Sequence, residues 1–163
     1  AARLPEEENV TVRFRERPPQ RGWFGIALYE PKIEANLGVV CRSAHAFGAS
    51  FVALIGQRYQ RVSTDTTKSS RTIPMLYFRD WPLFTETFYD VPLITVEVAR
   101  GIALPDFTHP DQAIYVLGGE DRTLPVTGTA SCYIDTTYCL NLGSCATVVM
   151  YSRQAQMARK GTR

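Results

Sequence analysis

Short runs of apolar residues, separated by longer stretches of mixed polarity, set the pattern of this chain from residue 22 onward. Phe24-Gly25-Ile26-Ala27-Leu28 is the first run, closed by the turn Tyr29-Glu30-Pro31. Residues 51–55, 93–98 and 113–117 form three more, and Tyr133-Ile134 is a short one. Such runs are apolar at successive rather than alternate positions, so they predict strands buried on both faces. Between them the period changes. Leu37, Val40, Cys41, Ala44 and Phe47 recur at helical spacing and predict a helix over 36–47, with Asn36 as N-cap and Gly48 just past its end. Asp80 is placed to cap a second helix through Tyr89, because Pro82 falls in the first turn, where its missing N–H is not needed. A third helix is predicted over 142–159. Strands alternating with helices predict an α/β fold: a mostly parallel sheet with helices on both faces.

The 163 residues amount to one domain at about 150 residues each. Residues 1–21 are polar and end in Pro18-Pro19 before Gly22, so they read as an N-terminal arm ahead of a domain over 22–163. Within the arm Arg13, Arg15 and Arg17 alternate with Val12, Phe14 and Glu16. An extended backbone would put the three guanidinium groups on one side. A solvated tail is the simpler account, and an arm touching phosphates is the functional one. Hydrophobic residues at 45% and charged residues at 21% leave enough apolar area for a core. Lys and Arg number 18 against 16 Asp and Glu, a net charge of +2, so attraction to nucleic acid must come from local clusters. No apolar run approaches the roughly 20 residues that span a bilayer, and the first residues lack the apolar core of a signal peptide. Cys41, Cys132, Cys139 and Cys145 form no C-x-x-C pair. Reduced thiols and a cytoplasmic location are expected.

Three segments carry candidate chemistry. On the helix over 36–47, Gly38, Arg42 and His45 fall on a stripe apart from the apolar one, and a helix N-terminus near an Arg suits an anion such as phosphate. Arg42 taken alone reads more often as a surface or salt-bridge residue. Cys41 and His45 stand at i, i+4, but with no further ligand at a recognisable spacing no metal is expected. The second segment runs from the strand end Leu117 into Gly118-Gly119-Glu120-Asp121, where glycines allow a ligand close to the backbone or simply a tight turn. Neither G-x-G-x-x-G nor a P-loop is present. Glu97 and Asp135-Thr136 are further polar strand ends, and ligands of open α/β sheets bind beyond such ends. The third segment, Cys139-Leu140-Asn141-Leu142-Gly143-Ser144-Cys145, leads into the last helix with Asn141 as a plausible N-cap. Nothing places His45 or His109 as a base beside Cys139 or Cys145, so buried, inert thiols are expected.

Taken together and in order, the three segments resemble the motifs of the SpoU-type (SPOUT) RNA 2′-O-methyltransferases. Asn36 to Arg42 matches N-x-G-x-x-x-R, Val116 to Pro125 resembles a strand followed by G-x-E and L-P, and Cys139-Leu140-Asn141-Leu142 resembles S-x-N-x-S. Ile26-Ala27-Leu28-Tyr29-Glu30-Pro31 looks most like the small tRNA wobble-nucleotide branch. The resemblance implies a C-terminal deep trefoil knot, a homodimer and S-adenosyl-L-methionine as cofactor. It implies RNA as substrate, tRNA favoured and rRNA possible. Carried over by position, the cofactor would meet Val96, Glu97, Leu117, Gly118, Gly119, Ile134, Cys139 and Leu142. The catalytic set would be Arg42, Asn36, Glu120 and Asn141. Arg58, Arg61, Lys68 and Arg71, with the arm arginines, are candidates for the RNA surface, and Tyr29 or Tyr59 for stacking on a base. The sequence departs from the family at Cys139, where Ser is usual, and at Gly143, which replaces the second Ser. Thr123 replaces a common Gly, and Asp135-Thr136 replaces Pro-Met. These departures leave open a catalytically impaired module that still binds cofactor or RNA.

Overall fold

The computed structural model describes residues 22–56, 73–119 and 123–161. The expected arm, Arg58, Arg61, Lys68, Arg71, Tyr59 and Glu120 lie outside them. Seven strands form one sheet in the order β3-β2-β1-β6-β4-β7-β5, and every pairing is parallel. They are β1 (Trp23–Tyr29), β2 (Val52–Ile55), β3 (Met75–Phe78), β4 (Leu93–Glu97), β5 (Ile102–Ala103), β6 (Gln112–Leu117) and β7 (Ala130–Tyr133). The helices are α1 (Glu34–Phe47), α2 (Trp81–Thr87) and α3 (Leu142–Gly161). Both sheet neighbours of β4, namely β6 and β7, come after it in the chain, so the polypeptide returns on either side of a strand already laid down.

Side chains along β1 alternate between two cores, as the strand period of two requires. Phe24, Ile26 and Leu28 meet Leu37, Val40 and Ala44 of α1 and Ala146, Val149 and Met150 of α3. Ala27 faces the other way, toward Phe51, Phe84 and Val116. On that side Phe84 and Phe88 pack with Phe51 and Phe78 in an aromatic cluster under α2. The Asp80 carboxylate accepts from the Leu83 N–H at 3.0 Å and caps α2 as expected, and that bond with the neighbouring Arg79 holds its carboxyl below the usual range. Gly48 ends α1 in the left-handed region, φ 80°.

Several expectations are corrected. Helix α1 begins two residues earlier than expected. Its N-cap is Ile33, with Glu34 bringing negative charge to the first turn, and Asn36 is a buried residue inside the helix. Helix α2 stops at Thr87 rather than Tyr89. Strand β7 ends at Tyr133, so Ile134 lies just beyond it. Ala130 and Ser131 carry too little apolar surface to read as strand, and β4 recruits them by register. The edge strands β3 and β5 were not expected. β5 is only two residues long, and β3 is a short apolar run that the sequence reading passed over and that pairing with β2 makes a strand.

At the amino ends of β1 and β6 a buried polar network fastens α3. The Arg153 guanidinium is 3% exposed and donates to the carbonyls of Trp23, Pro110 and Asp111 and to the Tyr115 hydroxyl, with the Phe24 ring 5.0 Å from its centre. Tyr115 in turn lies 2.6 Å from Nδ1 of His109, whose Nε2 lies 2.9 Å from Ser152 Oγ. Since the Tyr115 hydroxyl accepts from Arg153, its own proton goes to Nδ1, which puts the imidazole proton on Nε2. Burial, with Arg153 and Lys160 nearby, pulls His109 from its ordinary 6.5 down to about 4.

This neutral histidine makes stability depend on pH. Between about 4 and 6.5 the unfolded chain takes up a proton that the folded one refuses, so stability falls as pH drops through that window. The expected loss is about 1.4 kcal/mol per pH unit from this residue. Melting midpoints of wild type and His109→Gln between pH 4 and 7 measure it. The variant should show the shallower slope, and equal slopes would refute the assignment.

Candidate functional site

The carboxyl ends of β4, β6 and β7 open into a cavity of about 470 Å3 beside the start of α3. Small-molecule sites commonly span about 300–1,000 Å3. Val96 and Glu97 come from the end of β4, Leu117, Gly118 and Gly119 from the end of β6, and Ile134 from the residue after β7. Cys139 and Leu142 stand on either side of the α3 N-cap. All eight positions singled out in the sequence for the cofactor thus line one cavity. Val98, Thr123, Leu124, Thr136, Leu140 and Cys145 complete the wall. None of these six had been assigned to the cofactor, although Thr136 was named as a polar strand end, Thr123, Leu124, Leu140 and Cys145 stand inside the two late segments, and Val98 follows Glu97.

The wall is mostly apolar, and Glu97 is the carboxylate among its described residues. The expectation of a buried thiol fails at Cys139, which is exposed at the cavity, whereas Cys41 and Cys132 are buried in the core. Cys145 is half-buried, and burial raises its thiol to about 11. His109 is engaged by Tyr115 and Ser152 at the other end of the sheet. Cys41 Sγ lies 3.5 Å from Met75 Sδ in the core, whereas His45 is exposed, so these two do not converge. Among the described residues no group of three His, Cys, Asp or Glu side chains could hold a metal ion.

The α3 N-terminus joins the cavity to α1. Asn141 Oδ1 accepts from the N–H of Gly143 at 2.9 Å and of Ser144 at 3.4 Å, so Asn141 is the expected N-cap. Its Nδ2 donates to Oδ1 of Asn36 at 3.0 Å. The two asparagines, 105 residues apart in the chain, therefore meet. About two turns further on, Ser43 Oγ lies 2.8 Å from Thr147 Oγ1, which bonds back to the Gly143 carbonyl. Arg42 lies beside Ser43 on α1, is exposed, and makes no hydrogen bond or ion pair with another described residue. It is not part of the cavity wall. Tyr29 packs edge-to-face on Trp81 at 6.2 Å, which engages the ring proposed for base stacking.

The sequence model of the SpoU rRNA Methylase family matches residues 24–151. No curated relative matches the chain by sequence. Among solved structures, an AdoMet-bound rRNA methyltransferase from Sinorhizobium meliloti shares 22% identity at a TM-score of 0.72, over 86% of this chain and 59% of its own. A structure described as giving insight into 2-OH methylation of C/U34 on tRNA shares 20% identity at 0.74, over 85% and 99%. The TrmH/SpoU tRNA modifying enzyme of A. aeolicus shares 15% at 0.72, over 97% and 87%. At these identities the structural likeness establishes the fold.

Proposed function

This chain belongs to the SpoU rRNA methylase family, and from that premise we propose that it transfers a methyl group from S-adenosyl-L-methionine to a ribose 2′-hydroxyl of RNA, with tRNA as the favoured substrate. The observation that carries the reading is the single cavity lined by all eight expected positions, one wall of which is the N-cap turn bonded to the helix that bears Arg42. The cavity suits the cofactor. Backbone groups around Leu117, Gly118 and Gly119 can be approached closely, Val96, Ile134 and Leu142 offer apolar surface, and the Glu97 carboxylate can accept from hydroxyl or ammonium groups. When bound, the cofactor supplies an electrophilic methyl group on a sulfonium.

Arg42 would hold the phosphate beside the target sugar and stabilise the negative charge that grows on its 2′-oxygen. A guanidinium stays protonated, so the proton would go to a phosphate oxygen or a water rather than to Arg42. Asn141 and Asn36 would keep α1 in register with the cavity. Glu120 is assigned to pairing with Arg42 or with a partner subunit. The arginines at 13, 15, 17, 58, 61 and 71 are assigned to the RNA backbone. A homodimer would cover apolar side chains that α1 and α3 leave exposed, Val39, Val148 and Tyr151 among them. The return of β6 and β7 around β4 is the strand order on which the expected trefoil knot would be built. The tRNA preference rests on the opening residues 26–31 and on the match to nearly the whole of a tRNA-directed chain.

Calorimetry with S-adenosylhomocysteine, ATP and NAD tests the cofactor: the first should bind and the other two should not. Labelled S-adenosylmethionine with tRNA or rRNA tests the transfer, and label should appear in tRNA as an alkali-resistant 2′-O-methyl nucleotide. Label on a base would overturn the reaction proposed, and label in rRNA alone the choice of substrate. No described helix is long and apolar enough to cross a membrane.

A further inference from the structure

We propose that Val39 and Gly143 are a matched pair of positioning residues, which set how closely α1 approaches the N-cap turn of α3 and so where Arg42 stands relative to the cavity. The inference rests on the reading above. Gly143 is buried in the first turn of α3, where glycine brings no helix propensity of its own. A β-carbon built at this position would lie 2.5 Å from Val39 Cγ1 and 2.9 Å from Val39 Cβ. The second distance matters more. Rotating a valine about χ1 moves its methyl groups but not its Cβ, and on a helix that rotation is itself restricted. No change of rotamer therefore makes room, and any side chain at 143 must push the two helices apart.

The helices cannot separate there without loss, because polar clamps lie on both sides of the contact. Asn36 with Asn141 is one, and Ser43 with Thr147 is the other. Thr147 also bonds the Gly143 carbonyl, and the Gly143 N–H bonds the Asn141 cap. A wedge at 143 acts on all of these together. It also acts on Arg42, next to Ser43, and on Leu140 and Leu142 of the cavity wall. Gly143, where the family usually has Ser, is thus fitted to Val39 in this chain and is not a sign of lost function.

Gly143→Ser, the substitution that brings the sequence closer to the family, should therefore lower kcat for methyl transfer by about 10- to 100-fold at saturating cofactor. The KM for S-adenosylmethionine should change far less. Adding Val39→Gly, which removes the Cβ together with the methyl groups, to the same chain should restore kcat to within about threefold of wild type, because the two sites are in contact and do not act independently. Melting midpoints of wild type, the two single variants and the double variant accompany the kinetics. A single variant that fails to fold, beside a double variant that folds and transfers, supports the pair. A double variant no better than Gly143→Ser overturns it, as does a Gly143→Ser chain as active as wild type or more so. A wild-type chain that labels no RNA overturns the underlying reading, and the positioning role with it, even where the melting midpoints show the packing contact.

Discussion

Replacing Arg42 by Ala is expected to lower methyl transfer by about 10²–10³-fold, the usual cost of removing one donor that stabilises charge developing in a transition state. S-adenosylhomocysteine should bind the variant as it binds wild type, because Arg42 is exposed on α1 and is not part of the cavity wall. That split between transfer and binding is the diagnostic result. Arg42→Lys should recover only part of the rate. It keeps the charge but loses the planar fork that meets two phosphate oxygens at once. Single-turnover transfer from labelled cofactor, read beside calorimetric binding of S-adenosylhomocysteine, makes the measurement. Transfer by Arg42→Ala at the wild-type rate would remove Arg42 from the mechanism, and loss of binding in step with transfer would place it in the cofactor site instead.

The largest effect on stability is expected at Arg153, at the opposite end of the sheet. Its guanidinium is buried, and its four acceptors are carbonyl and hydroxyl oxygens. Arg153→Leu removes a buried charge, which is favourable, but it leaves the carbonyls of Pro110 and Asp111 and the Tyr115 hydroxyl short of a donor. Each buried group left unsatisfied costs about 1–3 kcal/mol. The net loss should be about 3–5 kcal/mol, or roughly 10 °C in melting midpoint for a chain of this length. Tyr115→Phe, which removes one shared hydroxyl, should cost about 1–2 kcal/mol. Both variants should bind S-adenosylhomocysteine normally well below their melting points. The Pro110 and Asp111 carbonyls that Arg153 holds lie before the amino end of β6, about 20 Å along that strand from the end that lines the cavity. An Arg153→Leu chain that melts with wild type would show that the network contributes nothing net.

The two ends of the sheet were unequally legible. The carboxyl-end site could be read because its parts are local. A strand followed by Gly118-Gly119, and an N-cap followed by an apolar helix, are patterns confined to a few neighbouring residues. The order of the three segments then carried the family resemblance, and the cavity gathers every position that the resemblance implied for the cofactor. The amino-end network could not be read. His109, Tyr115 and Arg153 are unremarkable in their own neighbourhoods, and only the packing of α3 on the sheet brings them within bonding distance. Asn36 shows the same limit within the site. Its residue type suggested a cap, the usual local use of an asparagine near a helix start. The structure spends it on a partner in the last third of the chain, while Ile33 takes the cap position.

What the amino-acid order determined by itself was periodicity and punctuation: which segments are strands or helices, where glycine and asparagine end or begin them, and which family the segments resemble. The first two depend on residues within a turn or two of one another, and the third on the order of such stretches along the chain. The tertiary structure alone decided which strand lies beside which, that β6 and β7 enclose β4, that Cys139 is exposed, and that Gly143 leaves room for Val39. Such facts are distances between residues far apart in the chain. A distance of that kind follows from how all the buried surfaces fit at once, and no local stretch of sequence contains it.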